Sequence, residues 1–280
     1  MGRDVVGRVV IMRARPSDAG AMARVFVKAF GHRGPLEPVV TNFGVSMEVQ
    51  PDGCFVALLN SSVIGTGCFF DYGRVAWVGN VAVVPELQRR GVGTAIMLRI
   101  LGELRARGVE TVRLDATEQG RRLYRKLGFV EEYHTIMYRL SREASEEVSY
   151  GGVEVLDELP EFALEFDRRA FGADRTHVLA SWVRRRAKVL VVARDGYALL
   201  RKGFLGPVIA RSYGVAKTLV TRAIRLGAQR MIVPSASRDA VRLVEELGAE
   251  EVTRCIRMRL GPMYPKDVGG IYGILGCAKG

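Results

Sequence analysis

The sequence predicts a mixed α/β chain built from two copies of one domain, and three observations lead there. The segments "TEQGRRLYRKLGFVEEYHTIMYRL" (Thr117–Leu140) and "SRDAVRLVEELGAEEVTRCIRMRL" (Ser237–Leu260) align without a gap at an offset of 120 residues. Leu123, Leu127, Gly128, Arg139 and Leu140 return as Leu243, Leu247, Gly248, Arg259 and Leu260. A period that long does not describe a solenoid; it describes a duplicated domain. The apolar runs near the start are joined by short turns and pair antiparallel, whereas later runs alternate with amphipathic stretches and pair parallel. Finally, 280 residues suffice for two domains of ordinary size, each with its own core.

Each element has a local reason. "RVVIMRARP" reads as a strand, and Ser17 as the N-cap of the helix "DAGAMARVFVKAF", which Gly31 closes. "CFVALLN" and "VIGTGCFFDYG" form a hairpin turned at the "SS" pair, Ser61 and Ser62. "VAWVGNVAVV" is the fourth strand, followed by the loop "PELQRRGVG" and a helix reaching Arg107. "TVRLDAT" is the fifth strand, "QGRRLYRKL" a helix and "EEYHTIMYRL" the last strand of the first copy. The second half repeats this order in shorter form. The polar stretch ending in Gly151–Gly152 marks the boundary: a first domain over 9–141, a linker over 142–152, a second domain over 153–261 and a tail over 262–280.

Charge and cysteine content narrow the partners. The net charge is +12, but residues 1–141 hold 19 basic and 13 acidic side chains and residues 142–280 hold 23 and 17. The excess is shared evenly, without a basic arm, so a nucleic-acid partner is not favoured. The densest run, "WVRRRAK" (Trp182–Lys188), suits a solvated helix C-terminus. Arg3, Arg8, Arg13 and Arg15 interrupt the only apolar run near the start, no later run is long enough to span a bilayer, and a cytoplasmic location without membrane association is expected. Cys54, Cys68, Cys255 and Cys277 are scattered, with neither a CxxC nor a nearby histidine, so buried free thiols and no metal site are expected.

The loop carries the chemistry. A helix N-terminus presents unpaired N–H groups and a partial positive charge, Gly91 and Gly93 let an anion approach the backbone, and Arg89 and Arg90 add charge. The set suits a pyrophosphate. Neither the G-K-[ST] of a P-loop nor G-x-G-x-x-G is present; what stands there is Q-x-x-G-x-G, from Gln88 to Gly93, directly after a strand.

This arrangement resembles the GNAT superfamily of acetyl-CoA-dependent N-acetyltransferases, whose signature [RQ]-x-x-G-x-[GA] lies between the fourth strand and third helix. The family's second motif, L-Y-x-x-L-G-F, stands here as "LYRKLGF", Leu123–Phe129, in the right order and at the right distance. The resemblance covers residues 9–140 with motifs, and the weaker second copy resembles two-domain members. It implies two tandem GNAT-like domains, each a mixed sheet flanked by helices. It implies acetyl-CoA as co-substrate, held by Gln88, Arg89, Arg90, Gly91, Val92, Gly93 and Thr94 of the loop and by the main chain of Val81, Ala82 and Val83. Thr117, Gly120 and Tyr124 follow on the next helix, with Tyr124 as the acid for the departing thiolate. The acceptor implied is a primary amine on a small molecule or peptide.

A general base is where the resemblance gives out. Many relatives place a glutamate on the fourth strand, and "VAWVGNVAVV" holds no acid. Asn80 can position a water, Asp115 ends the fifth strand, and Glu37 and Asp71 lie in acceptor-side segments; a water relay serves equally. The second copy has only "RSYG" where the first has its loop, and Val244 where the first has Tyr124, so it is expected to have lost coenzyme A chemistry. The alternatives are a coenzyme A binder or sensor without catalysis and a nucleic-acid-associated basic protein.

Overall fold

The structure, a computed structural model, describes residues 9–31, 33–141, 152–264 and 267–280. The arginines at 3 and 8, and all of the linker expected over 142–152 except Gly152, lie outside the described residues. The chain divides into two compact units, one ending at Val112 and including Lys279, the other holding Arg113–Ala278 and Gly280.

In the first unit the order is β1 (Val10–Arg13), α1 (Ala19–Phe30), α2 (Glu37–Val49), β2 (Cys54–Leu59), β3 (Ser62–Asp71), β4 (Val75–Val83) and α3 (Val92–Ala106). The four strands pair antiparallel in chain order, in registers such as Val10↔Leu58, Cys54↔Cys68 and Gly65↔Val83. The hairpin turn is one residue earlier than expected: Asn60 and Ser61 take φ of 48° and 64°, the left-handed pair that a two-residue turn between twisted strands requires. Ser17 is not the cap of α1 either. A short 3-10 turn over Pro16–Asp18 precedes the helix, and Asp18 accepts from the Arg15 amide at 2.7 Å. Gly31 closes α1 as expected, at φ 62°.

Helix α2 has no counterpart among the elements read from sequence. Its Pro38 sits in the first turn, where no intrahelical N–H is lost, and Phe43, Ser46 and Met47 bury one narrow face. Phe43 and Met47 pack with Met22, Ala23, Cys54, Val56 and Cys68 into the core under α1 and α2.

The fifth strand, β5 (Thr111–Ala116), begins the second unit's order, followed by α4 (Glu118–Lys126) and β6 (Val130–Arg139). The second copy then runs β7 (Val153–Leu156), α5 (Glu161–Phe171), α6 (Thr176–Arg184), β8 (Lys188–Val192), β9 (Gly196–Arg201), β10 (Phe204–Ala210), α7 (Tyr213–Arg225), β11 (Arg230–Pro234), α8 (Arg238–Glu246) and β12 (Glu250–Leu260). This is the element order of the first copy, position for position. The segment expected as a tail adds β13 (Ile271–Gly273).

Within the second unit the strands lie in the order β5-β12-β6-β11-β10-β9-β8-β7. The sheet is mixed: β10 and β11 are parallel, with α7 as the crossover, while β6–β11, β6–β12 and β9–β10 are antiparallel. The two copies exchange their last strands. β12 of the second copy lies on β5 of the first, and β6 of the first copy lies on β11 of the second. Leu219, Val220 and Ala223 of α7 and Leu243 and Val244 of α8 bury the helical faces on this sheet.

Candidate active site

The glycine loop is built on an irregular strand. Between Thr66↔Ala82 and Cys68↔Gly79 the β3–β4 register shifts, so Asn80 and Val81 together oppose Gly67. Asn80 takes φ 55°, a left-handed conformation asparagine tolerates, and this bulge re-aims the strand just before Val81–Val83. Helix α3 lies close on β3 because that strand has glycines beneath it. A Cβ on Gly67 would stand 2.6 Å from Ile96 Cγ2, and one on Gly65 2.9 Å from Ile96 Cδ1.

After β4 the chain makes a 3-10 turn over Pro85–Leu87, and the Gln88 carboxamide donates back to the Val83 carbonyl at 3.0 Å. Gln88 therefore shapes the loop. Arg89 and Gly91 both take positive φ, 60° and 86°. Gly91 is the N-cap of α3 and supplies no side-chain cap, and a Cβ there would meet nothing within 4 Å. The first helical amides, those of Val92, Gly93 and Thr94, have no intrahelical acceptor by the geometry of any α-helix. An open helix N-terminus with Arg89 and Arg90 exposed beside it fits a diphosphate.

The second unit holds the other expected residues. Thr117 caps α4, its hydroxyl accepting from the Gly120 amide at 3.2 Å. Gly120 leaves room for the aromatic ring one turn on: an added Cβ would come within 3.1 Å of Tyr124 Cε2. Tyr124 is buried against Phe129 in an edge contact of 5.8 Å between ring centroids. Burial, with a smaller contribution from nearby Cys255, pushes its hydroxyl well above the ordinary phenol range. The phenol therefore keeps its proton at neutral pH.

Both carboxylate oxygens of Asp115 are engaged. Its Oδ1 accepts from Arg257 Nε at 2.7 Å and Thr135 Oγ1 at 2.9 Å, and its Oδ2 accepts from Arg257 Nη2 at 3.0 Å. Both charged side chains are buried, and the arginine also donates to the Tyr133 hydroxyl at 3.2 Å. The other two carboxylate candidates lie in the first unit. Asp71 accepts from the Gly73 amide in its own turn and faces Arg107 at 3.6 Å, and Glu37 is exposed in the first turn of α2. Sequence reasoning missed Arg257. The signal was there in "CIRMRL", where Cys255 and Arg257 share one face of a strand, but their partner comes from the other copy. Replacing Asp115 with alanine is expected to cost roughly 3–5 kcal/mol in urea unfolding, because it leaves a buried guanidinium unpaired. A loss below about 1 kcal/mol would remove the pair from the structural account.

The second copy lacks each of these openings. Helix α7 is capped by its own Ser212, which accepts from the Val215 amide at 3.4 Å. In the first copy's motif the strand–helix loop is open; here it is a closed turn. The gap between β10 and β11 is filled as well. After pairing at Phe204↔Arg230 and Leu205↔Met231 the two strands part, and β13 enters, pairing with β10 at Val208↔Gly273 and Ile209↔Ile271. Ile274 then donates its amide to the Ile232 carbonyl of β11 at 2.9 Å. Two glycines permit the insertion. A Cβ on Gly206 would stand 2.2 Å from the Ile274 carbonyl oxygen, and one on Gly273 3.2 Å from Val208 Cγ2.

Among the described residues no helix is long and apolar enough to cross a membrane, and no three metal-ligating side chains cluster. A model described as "Acetyltransferase (GNAT) family" matches residues 21–129, and one described as "Acetyltransferase (GNAT) domain" matches 163–273. Comparison with curated protein sequences returns no match. Among solved structures, an acetyltransferase candidate of Pyrococcus horikoshii is 39% identical with a TM-score of 0.93, over 100% of this chain and 99% of that one. A GCN5-related N-acetyltransferase of Sphaerobacter thermophilus has a TM-score of 0.66 at 16% identity, over 92% of this chain and 97% of that one. A tandem GNAT protein from the clavulanic acid biosynthesis pathway has a TM-score of 0.61 at 13% identity, over 91% and 100%. The last two share the fold. With a 39%-identical relative matched from end to end and each copy matched by an acetyltransferase model, this chain belongs to the GNAT family of N-acetyltransferases and carries two GNAT domains in tandem.

Proposed function

We propose that the first copy transfers acetyl from acetyl-CoA to a primary amine by direct attack, and that the second copy binds no cofactor. The observation that carries this reading is the contrast between the two helix N-termini. That of α3 begins at an uncapped Gly91 with open space above it, and that of α7 is closed by Ser212. Bound acetyl-CoA would supply a thioester carbonyl and a thiolate leaving group. The amides of Val92, Gly93 and Thr94, with Arg89 and Arg90, hold the diphosphate. The main chain of Val81–Val83 takes the pantetheine amides, with one N–H polarising the carbonyl. Tyr124 shares its proton with the thiolate, and Thr117 and Gly120 keep that tyrosine in place.

Asp115 holds β5, β6 and β12 together through Arg257 and Thr135; it takes no part as a base. The acceptor ammonium, a small molecule's or a peptide's, loses its proton through water, which Asn80 at the bulge can orient. The second copy serves as a scaffold. Titration of the full chain with coenzyme A should therefore give a stoichiometry near one. Two equivalent sites would overturn the assignment of the second copy. A chain that binds acetyl-CoA but releases no thiol with any of a panel of amines would instead be a sensor.

A further inference from the structure

We propose that Cys54 and Cys68 are a disulfide site joining β2 to β3. The two residues face each other across the antiparallel pair, and their sulfurs are 2.8 Å apart. They occupy a non-hydrogen-bonded position of the ladder. The Phe69 amide donates to the Gly53 carbonyl at 2.7 Å, so the ladder bond falls on the neighbouring pair, and the Cys54 carbonyl turns away to accept from the Ala14 amide at 2.8 Å. Residues so placed have Cα atoms about 4.5 Å apart with side chains close together, inside the range of about 4.4–6.8 Å that a disulfide spans. The bond therefore forms without moving either strand.

The remaining cysteines do not compete. Cys255 and Cys277 are hydrogen-bonded to each other, so of the three pairings four cysteines allow, the fold selects one. Nor does the Cys54–Cys68 pair meet a soluble disulfide in the folded protein. Both thiols are buried in the apolar core beneath α1 and α2, and burial together with Cys54 pushes the Cys68 thiol well above its ordinary value. A thiolate, not a thiol, attacks a disulfide. Closure thus occurs while the chain folds, or when this hairpin opens.

With a low-molecular-weight disulfide such as oxidised glutathione as oxidant, the step balances. One cysteine sulfur attacks the glutathione S–S bond, which breaks and releases one glutathione thiol. The second cysteine sulfur displaces the other glutathione from the mixed disulfide. Two cysteine protons and two electrons end on two glutathione thiols.

The test uses the full wild-type chain, refolded from denaturant with excess oxidised glutathione, alkylated and digested with trypsin. Cys54 and Cys68 fall on one fragment, residues 34–74. That fragment is expected unalkylated and two hydrogens lighter than its reduced form, and expected to take two alkyl groups after dithiothreitol. If refolding yields aggregate, native protein held with the same oxidant below the unfolding midpoint in urea should give the same fragment more slowly. A fragment carrying two alkyl groups, or joined to the peptide of Cys255 or Cys277, overturns the proposal. The readout is a mass and does not depend on whether the protein binds acetyl-CoA.

Discussion

Replacing Gly91 with valine is expected to abolish coenzyme A binding while leaving the first copy folded. Gly91 sits at φ 86°, where a β-branched side chain is strained, with open space where a Cβ would go. The local cost to the fold is about 1–2 kcal/mol for a residue forced into left-handed backbone, which a domain of this size tolerates. The cost to binding is larger. The new side chain would project into the space the diphosphate needs and would turn the first helical amides away from it. Losing two hydrogen bonds to a charged group, each worth about 1.5–3 kcal/mol, lowers affinity roughly 10²–10⁴-fold. Calorimetry on the variant, with circular dichroism as the control for folding, measures this. Affinity equal to wild type would mean that the diphosphate binds elsewhere.

Tyr124→Phe is expected to lower kcat by roughly 10²-fold, the usual worth of general acid catalysis, with cofactor affinity nearly unchanged. The substitution keeps the ring that packs on Phe129 and Gly120 and removes only the hydroxyl. A purely packing role predicts wild-type turnover. The pH dependence supplies a second check. Ionising Tyr124 would bury an anion, so its pKa is raised, and the sign is that the protonated form persists above the ordinary phenol value of about 10. Wild type and variant titrated side by side at 295 nm should differ by one phenol, and only above that value. A difference appearing at or below pH 10 would show that the hydroxyl is solvated rather than enclosed.

The expected residues divide by how local their reasons are. The local form of the loop and of the tyrosine's helix was legible because it is written in consecutive residues. Q-x-x-G-x-G needs only a strand before it and a helix after it, and "LYRKLGF" needs only its own helix end. The role of Asp115 was not legible, since its partner Arg257 stands 142 residues away on the strand that the second copy lends to the first. Helix α2 was missed because Pro38 and a narrow apolar face weaken its local pattern, and because packing of Phe43 and Met47 under α1 decides it. The cysteines looked scattered for the same reason that Asp115 looked free. Antiparallel pairing brings positions 54 and 68 face to face, and a spacing of 14 carries no motif.

By itself, the sequence determined that this protein is two copies of one mixed α/β domain, and that the first copy carries a glycine loop and a tyrosine the second lacks. Periodicity, glycine placement and helix ends are local properties, and a 120-residue offset survives in them because each helix and strand keeps its own burial pattern. Only the tertiary structure decided which copy each strand serves. The copies exchange β6 and β12, a buried arginine crosses with one of them, and the segment after the second copy returns as β13 between β10 and β11. The physical reason is that main-chain hydrogen bonds in a sheet are the same for every partner strand. Which strand wins depends on side-chain fit and on gaps such as the one Gly206 and Gly273 leave, and those exist only once the chain has folded.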